Sequence, residues 1–320
     1  MRCYHAGKNQ SQISLIRKYN NSSEEAFLSF WENMKKNKQC KKQSEGFDYA
    51  SEYEALQGKE LLHLVVNVSE KMKIETMVAG HRYPVLLLSG FGHAAPLWKN
   101  QFEQLFDSYQ MIHMNPPAIG LSESSKEFTM EEIVDAMVQA LDILGVTQPV
   151  FILASSWGGT LAQIMAYKYP TKVKALLLAD CFYQLKTSVK NPVSLSKQLL
   201  NDFQAIGMEE QYQEVNRYEA VNQLKSRSYA KYVLNGFDVK EYTEKISIPA
   251  LIIHGEKDSI ITYESARELY EMIPNAEFAT VDGAGHMPNF THPQEYNVII
   301  THYMAEQLED ELEDDVDETM

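Results

Sequence analysis

Three side chains follow one another in an order that suits nucleophilic chemistry: Ser156, then Asp258, then His286. A serine hydroxyl attacks a carbonyl carbon poorly until an imidazole takes its proton. That imidazole in turn needs a carboxylate to fix its tautomer and to stabilise the positive charge it acquires. Ser156 lies in "FILASSWGGT", residues 151–160, where Phe151 to Ala154 read as a buried strand. "GGTLAQIMAYKYP" behind it carries helical spacing at Leu161, Met165 and Ala166. A nucleophile on such a strand-to-helix corner requires small residues two places before and two places after it, because the turn is tight. Ser156 has Ala154 and Gly158 at those places, whereas Ser155 has Leu153 and Trp157. Ser156 is therefore the candidate nucleophile and Ser155 a packing neighbour. Asp258 stands in "HGEKDSIIT" after the apolar run "ALII", and His286 stands in "DGAGHMPN" after "EFATV". Functional groups of an open parallel sheet gather beyond the carboxyl ends of its strands, which is where all three residues fall.

The elements that must position them are legible as a rhythm. "LLHLVVNV" and "KIETMVAG" read as an antiparallel opening hairpin. From Tyr83 onward strands and helices alternate: "PVLLLSG", "QMIHM", "FILAS", "VKALLLAD", "ALIIHG" and "EFATV" as strands, with "WKNQFEQLFDSY", "TMEEIVDAMVQALDILG", "YESARELYEMIP" and a last helix beginning near "HPQEYNVII". That alternation predicts an α/β fold, a mostly parallel twisted sheet with helices on both faces. Between Phe182 and Ile246 the rhythm breaks, and the sequence predicts a polar, helical, strand-free insertion. Phe182, Tyr183, Phe203 and Tyr229 in it could line an apolar acyl site or simply pack in a core. Near the amino end, Phe27, Phe30, Trp31 and Met34 form the apolar stripe of a capped helix, which covers either its own domain or a partner protein.

Composition narrows the function. The chain has 320 residues, 44% of them hydrophobic, enough to fill a sizeable core. Its net charge is −15, but residues 306–320 alone carry nine acidic side chains and no lysine or arginine. Nucleic acid is an unsuitable partner because phosphate binding needs a basic face, and the Lys-rich "MKKNKQCKK" reads as a short solvated linker. Three cysteines, Cys3, Cys40 and Cys181, are too scattered for a disulfide framework or a metal site and predict reduced thiols in a cytoplasmic protein. No run approaches the length of a membrane span or a signal peptide core. The acidic end cannot bury apolar surface and is expected to be disordered.

These motifs together resemble the α/β-hydrolase superfamily, from about Glu60 to Leu308. "LLSGFGHAAPLW" is similar to that family's oxyanion loop, and the resemblance implies that the backbone N–H groups of Phe91 and Trp157 hold the developing oxyanion. "NPPAIGLSESS" is similar to the family's Asp-x-Pro-Gly-x-Gly-x-Ser turn, with Asn115 and Ala118 as departures. Some relatives carry the acid one strand earlier, where "LLLADC" offers Asp180, but "HGEKD" is the closer match and assigns Asp258. Trp157 after the serine resembles prolyl iminopeptidases, although their His-Gly-Gly-Pro-Gly loop is missing. "SGFG" is closer to small esterases, lactonases and carbon–carbon bond hydrolases. The resemblance implies an extension at residues 1–58, a core at 59–181 and 247–308, a helical cap at 182–246 and a tail at 309–320. It further implies a serine hydrolase with the triad Ser156, Asp258 and His286, which cleaves a small-molecule ester, thioester or lactone without metal or organic cofactor. An acyltransferase or carbon–carbon bond hydrolase could use the same triad, and the fold could also serve as a binding module without turnover. A rival reading takes Gly90 to Ala95 as the dinucleotide fingerprint G-x-G-x-x-A. It then lacks an acid after the second strand, where Met114 and Asn115 stand.

Overall fold

The computed structural model describes residues 40–42, 61–91, 93, 95–124, 127–185, 192–213 and 236–317. The apolar stripe between Ser22 and Lys36 lies outside them. The six core strands expected from the sequence form β4 (Tyr83–Leu88), β5 (Tyr109–Met114), β7 (Val150–Ser155), β8 (Val173–Ala179), β11 (Ala250–Gly255) and β12 (Ala276–Val281), all mutually parallel. The opening hairpin is β2 (Leu62–Ser69) with β3 (Met72–Ala79), antiparallel as expected. With β1 (Cys40–Lys42) at one end, the sheet order is β1-β2-β3-β5-β4-β7-β8-β11-β12, with the short β6 (Glu123–Ser124) paired to β3.

Burial on both faces explains why these strands read as unbroken apolar runs rather than alternating ones. In β4, Leu86 and Leu88 join one core cluster while Val85 and Leu87 join the other, and in β7 Ile152 and Ala154 are separated in the same way from Phe151 and Leu153. The first face is covered by α2 (Met130–Ile143), α3 (Gly158–Lys168) and α6 (Tyr263–Met272); the second is covered by α1 (Lys99–Leu105) and α8 (Pro293–Asp317). Thr129 caps α2 through a reciprocal capping box with Glu132. The chain leaves β4 toward the second face and β7 toward the first. A crevice therefore opens between two neighbouring strand ends, the usual place for a ligand in such sheets.

Three expectations are corrected. The Lys-rich run is not only a linker, because Cys40–Lys42 forms β1, antiparallel to β2 at the end of the sheet. The insertion after β8 is not strand-free: β9 (Gln184–Leu185) pairs antiparallel with β10 (Phe237–Asp238). Two-residue strands are too short to show a period, yet they draw together the two ends of the insertion, where Phe182 stacks on Phe237. Finally, α8 runs through Asp317, into the acidic segment expected to be disordered. Extending a helix already seated by Tyr296, Ile300 and Met304 avoids the cost of nucleation.

Two local arrangements depend on particular residues. At Gly158 an added Cβ would lie 2.4 Å from the Leu88 carbonyl oxygen and 2.6 Å from that of Ser89, so α3 starts directly against the end of β4. In the turn after β5, the departure at Asn115 has a partner. Glu75, buried on β3, accepts hydrogen bonds from the Asn115 side-chain amide and from the Leu121 N–H, both at 2.7 Å, and meets His63 at 2.6 Å. An aspartate at 115 would set a second carboxylate against Glu75. We therefore expect Asn115→Asp, although it restores the family's usual residue, to destabilise the protein by about 2 kcal/mol or more. Gly158→Ala is expected to cost about 1–3 kcal/mol through overpacking. Denaturant midpoints check both, and an unchanged midpoint for either variant would contradict the corresponding contact.

Candidate active site

Ser156 is the first residue beyond β7 and has a positive φ of 52°, a conformation that a non-glycine residue adopts only under constraint. Its N–H donates to the Ala179 carbonyl at 2.9 Å, and its own carbonyl accepts from the Gly159 N–H at 3.0 Å. The corner is thus fixed to β8 on one side and to α3 on the other. Gly159 permits this closeness, since a Cβ there would lie 2.3 Å from the Cys181 sulfur. Ser155 is fully buried as the last residue of β7 and its hydroxyl has no hydrogen-bond partner among the described residues, which fits a packing role. The loop after β4 comes up beside the corner: a Cβ on Gly90 would lie 3.2 Å from the Ser156 Cβ. Phe91 and Trp157, the two residues whose N–H groups the resemblance assigns to the oxyanion, meet edge to face with ring centroids 6.3 Å apart.

A buried polar relay that motif reading missed lies below that loop. Ser89 Oγ accepts from the Trp98 indole N–H at 3.1 Å and is hydrogen-bonded to His113 Nε2 at 3.0 Å. Burial pushes the His113 imidazole down to about 3, so the ring is neutral. Histidine on an apolar strand gives no sign of such a bond until the fold sets Ser89 beside it.

Asp258 and His286, the acid and histidine expected from the sequence, meet. His286 Nδ1–H donates to Asp258 Oδ2 at 2.8 Å, and Asp258 Oδ1 accepts from the N–H groups of Ile260 at 2.7 Å and Ile261 at 2.9 Å. Burial alone would raise the Asp258 carboxyl, but the charge and hydrogen bond of His286 and these two N–H groups bring it below the ordinary value. For His286 burial alone would lower the imidazole; the Asp258 charge and hydrogen bond outweigh it, with Asp180 and Asp202 adding to them, and raise it to about 9. The loops carrying the pair touch through backbone, since a Cβ on Gly255 would lie 2.3 Å from the Gly285 carbonyl oxygen.

Asp180, the alternative acid, faces elsewhere. It is fully buried at the end of β8 with φ 50°. Its Oδ1 accepts from the Gly255 N–H at 2.9 Å and its Oδ2 from the Met287 N–H at 3.1 Å. Burial and the Asp258 charge push its carboxyl up. Asp180, His254 and Asp258 bring ligand atoms within 4.8 Å of one another, but the carboxylate oxygens are already engaged by N–H donors. Asp180 therefore ties the acid strand to the histidine loop and leaves the imidazole to Asp258. On the return from the insertion, Thr243 donates to Gln163 Oε1 at 2.7 Å, and Gln163 donates to the carbonyls of Gly159 and Phe182 at 2.9 and 3.1 Å. Of the four aromatic residues of the insertion singled out from the sequence, Phe203 packs against Tyr212 and Phe290, whereas Phe182 and Tyr183 border a cavity of about 200 Å³; Tyr229 lies outside the described residues. No helix among the described residues is long and apolar enough to cross a membrane.

Residues 83–193 and 175–293 match the family model described as alpha/beta hydrolase fold. Lipase 3 of Moraxella sp. (strain TA144) is 26% identical over 230 residues, which span 64% of this chain and 72% of that protein. The 2-hydroxymuconate semialdehyde hydrolase of Pseudomonas putida is 22% identical over 250 residues, 71% of this chain and 89% of that one. The solved structure of a thermophilic esterase from Thermogutta terrifontis superposes with a TM-score of 0.66 at 21% identity, covering 74% of this chain and 94% of that one. The rival dinucleotide reading has no acid after β5, where the Asn115 amide is committed to Glu75. The chain belongs to the α/β-hydrolase fold family.

Proposed function

We propose that the protein is a serine hydrolase that cleaves an ester, thioester or lactone through an acyl-enzyme on Ser156. The observation that carries this reading is the buried Asp258–His286 pair on the same sheet edge as a serine held at positive φ beside Gly90. His286 Nε2 takes the proton as Ser156 Oγ attacks the acyl carbon, and Asp258 stabilises the imidazolium that results. The N–H groups of Phe91 and Trp157 receive the negative charge that develops on the acyl oxygen. The imidazolium then protonates the leaving group as its bond to the acyl carbon breaks; in the second half of the cycle His286 draws a proton from water as that water attacks the acyl carbon and returns it to Ser156 Oγ as the acyl–serine bond breaks. Residues 182–246 act as the cap that chooses the acyl group; where the cap meets the Asp258 loop, Phe182, Tyr183, Ile260 and Ile261 border a cavity that Thr262, Ser265 and Glu268 also line. A carbon–carbon bond substrate is the second reading, favoured by the likeness to the 2-hydroxymuconate semialdehyde hydrolase. A panel of graded acyl chains on ester and thioester leaving groups, with a vinylogous diketone as the third arm, separates the readings.

A fluorophosphonate is expected to label Ser156, and Ser156→Ala to abolish labelling. Asp258→Asn should cost on the order of 10⁴ in kcat. Asp180→Asn should retain labelling but lose about 1–3 kcal/mol of stability, because an amide side chain cannot accept at both ends. An adduct mapped to Ser155, or collapse in Asp180→Asn with normal turnover in Asp258→Asn, would reverse the assignments.

The pH profile follows from the raised imidazole. His286 must be neutral to act as a base, and its neutral fraction grows as pH rises toward about 9. The acidic limb of kcat/KM is therefore expected above the ordinary histidine value of about 6.5. Initial rates from about pH 6 to about pH 10 check it, and a limb at or below the ordinary value would contradict the raised imidazole.

A further inference from the structure

Asp202 lies in α4 (Pro192–Ala205), inside the insertion, and is almost wholly buried. Its Oδ2 accepts two hydrogen bonds from two different loops: the His286 N–H at 3.1 Å and the Ser259 N–H at 3.2 Å. One donor is the base residue itself, and the other is the residue directly after the acid. The loops make room for this contact. A Cβ on Gly285 would lie 3.2 Å from Asp202 Oδ2 and 3.3 Å from its Cβ, so a glycine beside the histidine lets the helix approach. Leu199 and Phe203 seat the same stretch of α4, with the Phe203 ring 6.4 Å from that of Phe290, just beyond the histidine loop. A buried carboxylate is costly unless hydrogen-bonded, and here the two partners are the backbones of the loops that carry the acid and the base.

We propose that Asp202 is a positioning residue that couples the insertion to the Asp258 and His286 loops and adds its charge to the field on the imidazole. The proposal rests on the triad reading above, and it adds a residue that the triad motif does not contain. The charges of three carboxylates from three elements act on the His286 ring: Asp258, bonded to it, from the loop after β11, Asp180 from the end of β8 and Asp202 from α4. Asp202 contributes both an anchor, through the two backbone bonds, and a negative charge. Two substitutions separate these contributions. Asp202→Asn keeps the size and an oxygen able to take both N–H bonds but removes the charge; Asp202→Ala removes both.

The test has a spectroscopic arm and a kinetic arm. NMR titration of the His286 ring reads its protonation whether or not the protein turns over any substrate. Asp202→Asn is expected to move that titration, and with it the acidic limb of kcat/KM, to lower pH, and to lower plateau kcat less than Asp202→Ala does. Asp202→Ala is expected to shift the titration in the same direction and to lower plateau kcat roughly tenfold or more with a smaller change in KM, because loosened loops misplace the base. A residue that only supports the fold would lower the melting temperature while leaving the titration and the limb where they were. That result in Asp202→Asn overturns the proposal, as does Asp202→Ala with parental kcat and an unmoved titration. Fluorophosphonate labelling of the parent reads the triad separately. An unlabelled parent whose His286 titration still moves with Asp202→Asn would reject the Ser156 reading and keep the coupling of α4 to His286. A labelled parent with an unmoved titration would do the reverse.

Discussion

Everything at this sheet edge is arranged around one electrostatic problem: three carboxylates converge on a single buried imidazole. Like charges taken out of water repel strongly unless donors hold them, and the protein supplies those donors almost entirely from backbone. Asp258 takes the N–H groups of Ile260 and Ile261, Asp180 those of Gly255 and Met287, and Asp202 those of Ser259 and His286. Only Asp258 also bonds the ring. The acids are thereby divided by geometry, one facing the base and two joining the segments that carry it. A field of this kind favours the charged imidazole, so the pH at which the His286 ring becomes neutral moves up, to about 9.

Backbone donors can reach these acids only where chain segments come unusually close, which is why glycines recur at the site. Gly90 sits against Ser156, Gly158 against the carbonyls ending β4, Gly159 against Cys181, Gly255 against the histidine loop and Gly285 against Asp202. Each removes a Cβ that would otherwise hold two elements apart. The positive φ of Ser156 and Asp180 has the same origin, since both residues end a strand and turn at once while bound to the neighbouring strand. Strain at Ser156 is sustained because β7, β8 and α3 over-determine its position.

The core strands were legible because two-sided burial writes itself as an apolar run, and the Ser156 corner was legible because its steric rule concerns residues two places away in sequence. Asp258 and His286 were legible by their places behind such runs. Asp202 was not, since its partners are backbone N–H groups of two remote loops and a backbone donor leaves no residue-type signature. Asp180 was read only as an alternative acid: residue type cannot distinguish a carboxylate that faces a ring from one that faces main chain. The β9–β10 ladder escaped for a different reason, being shorter than one repeat of any strand pattern.

The turn after β5 shows how a departure from a family pattern is to be weighed. By itself, Asn115 in place of aspartate looks like a weakened motif. In the fold it faces Glu75, whose carboxylate binds the Asn115 amide and the Leu121 N–H, while the Ser122 hydroxyl accepts from the Glu75 N–H and donates to the Asn115 carbonyl. Gly120 completes the fit, for a Cβ there would lie 2.0 Å from Glu75 Oε2. The negative charge that the pattern expects at the turn is present, but it is supplied from β3. What the turn requires is one buried carboxylate among several donors, and the chain is free to supply it from either strand so long as it does not supply it from both.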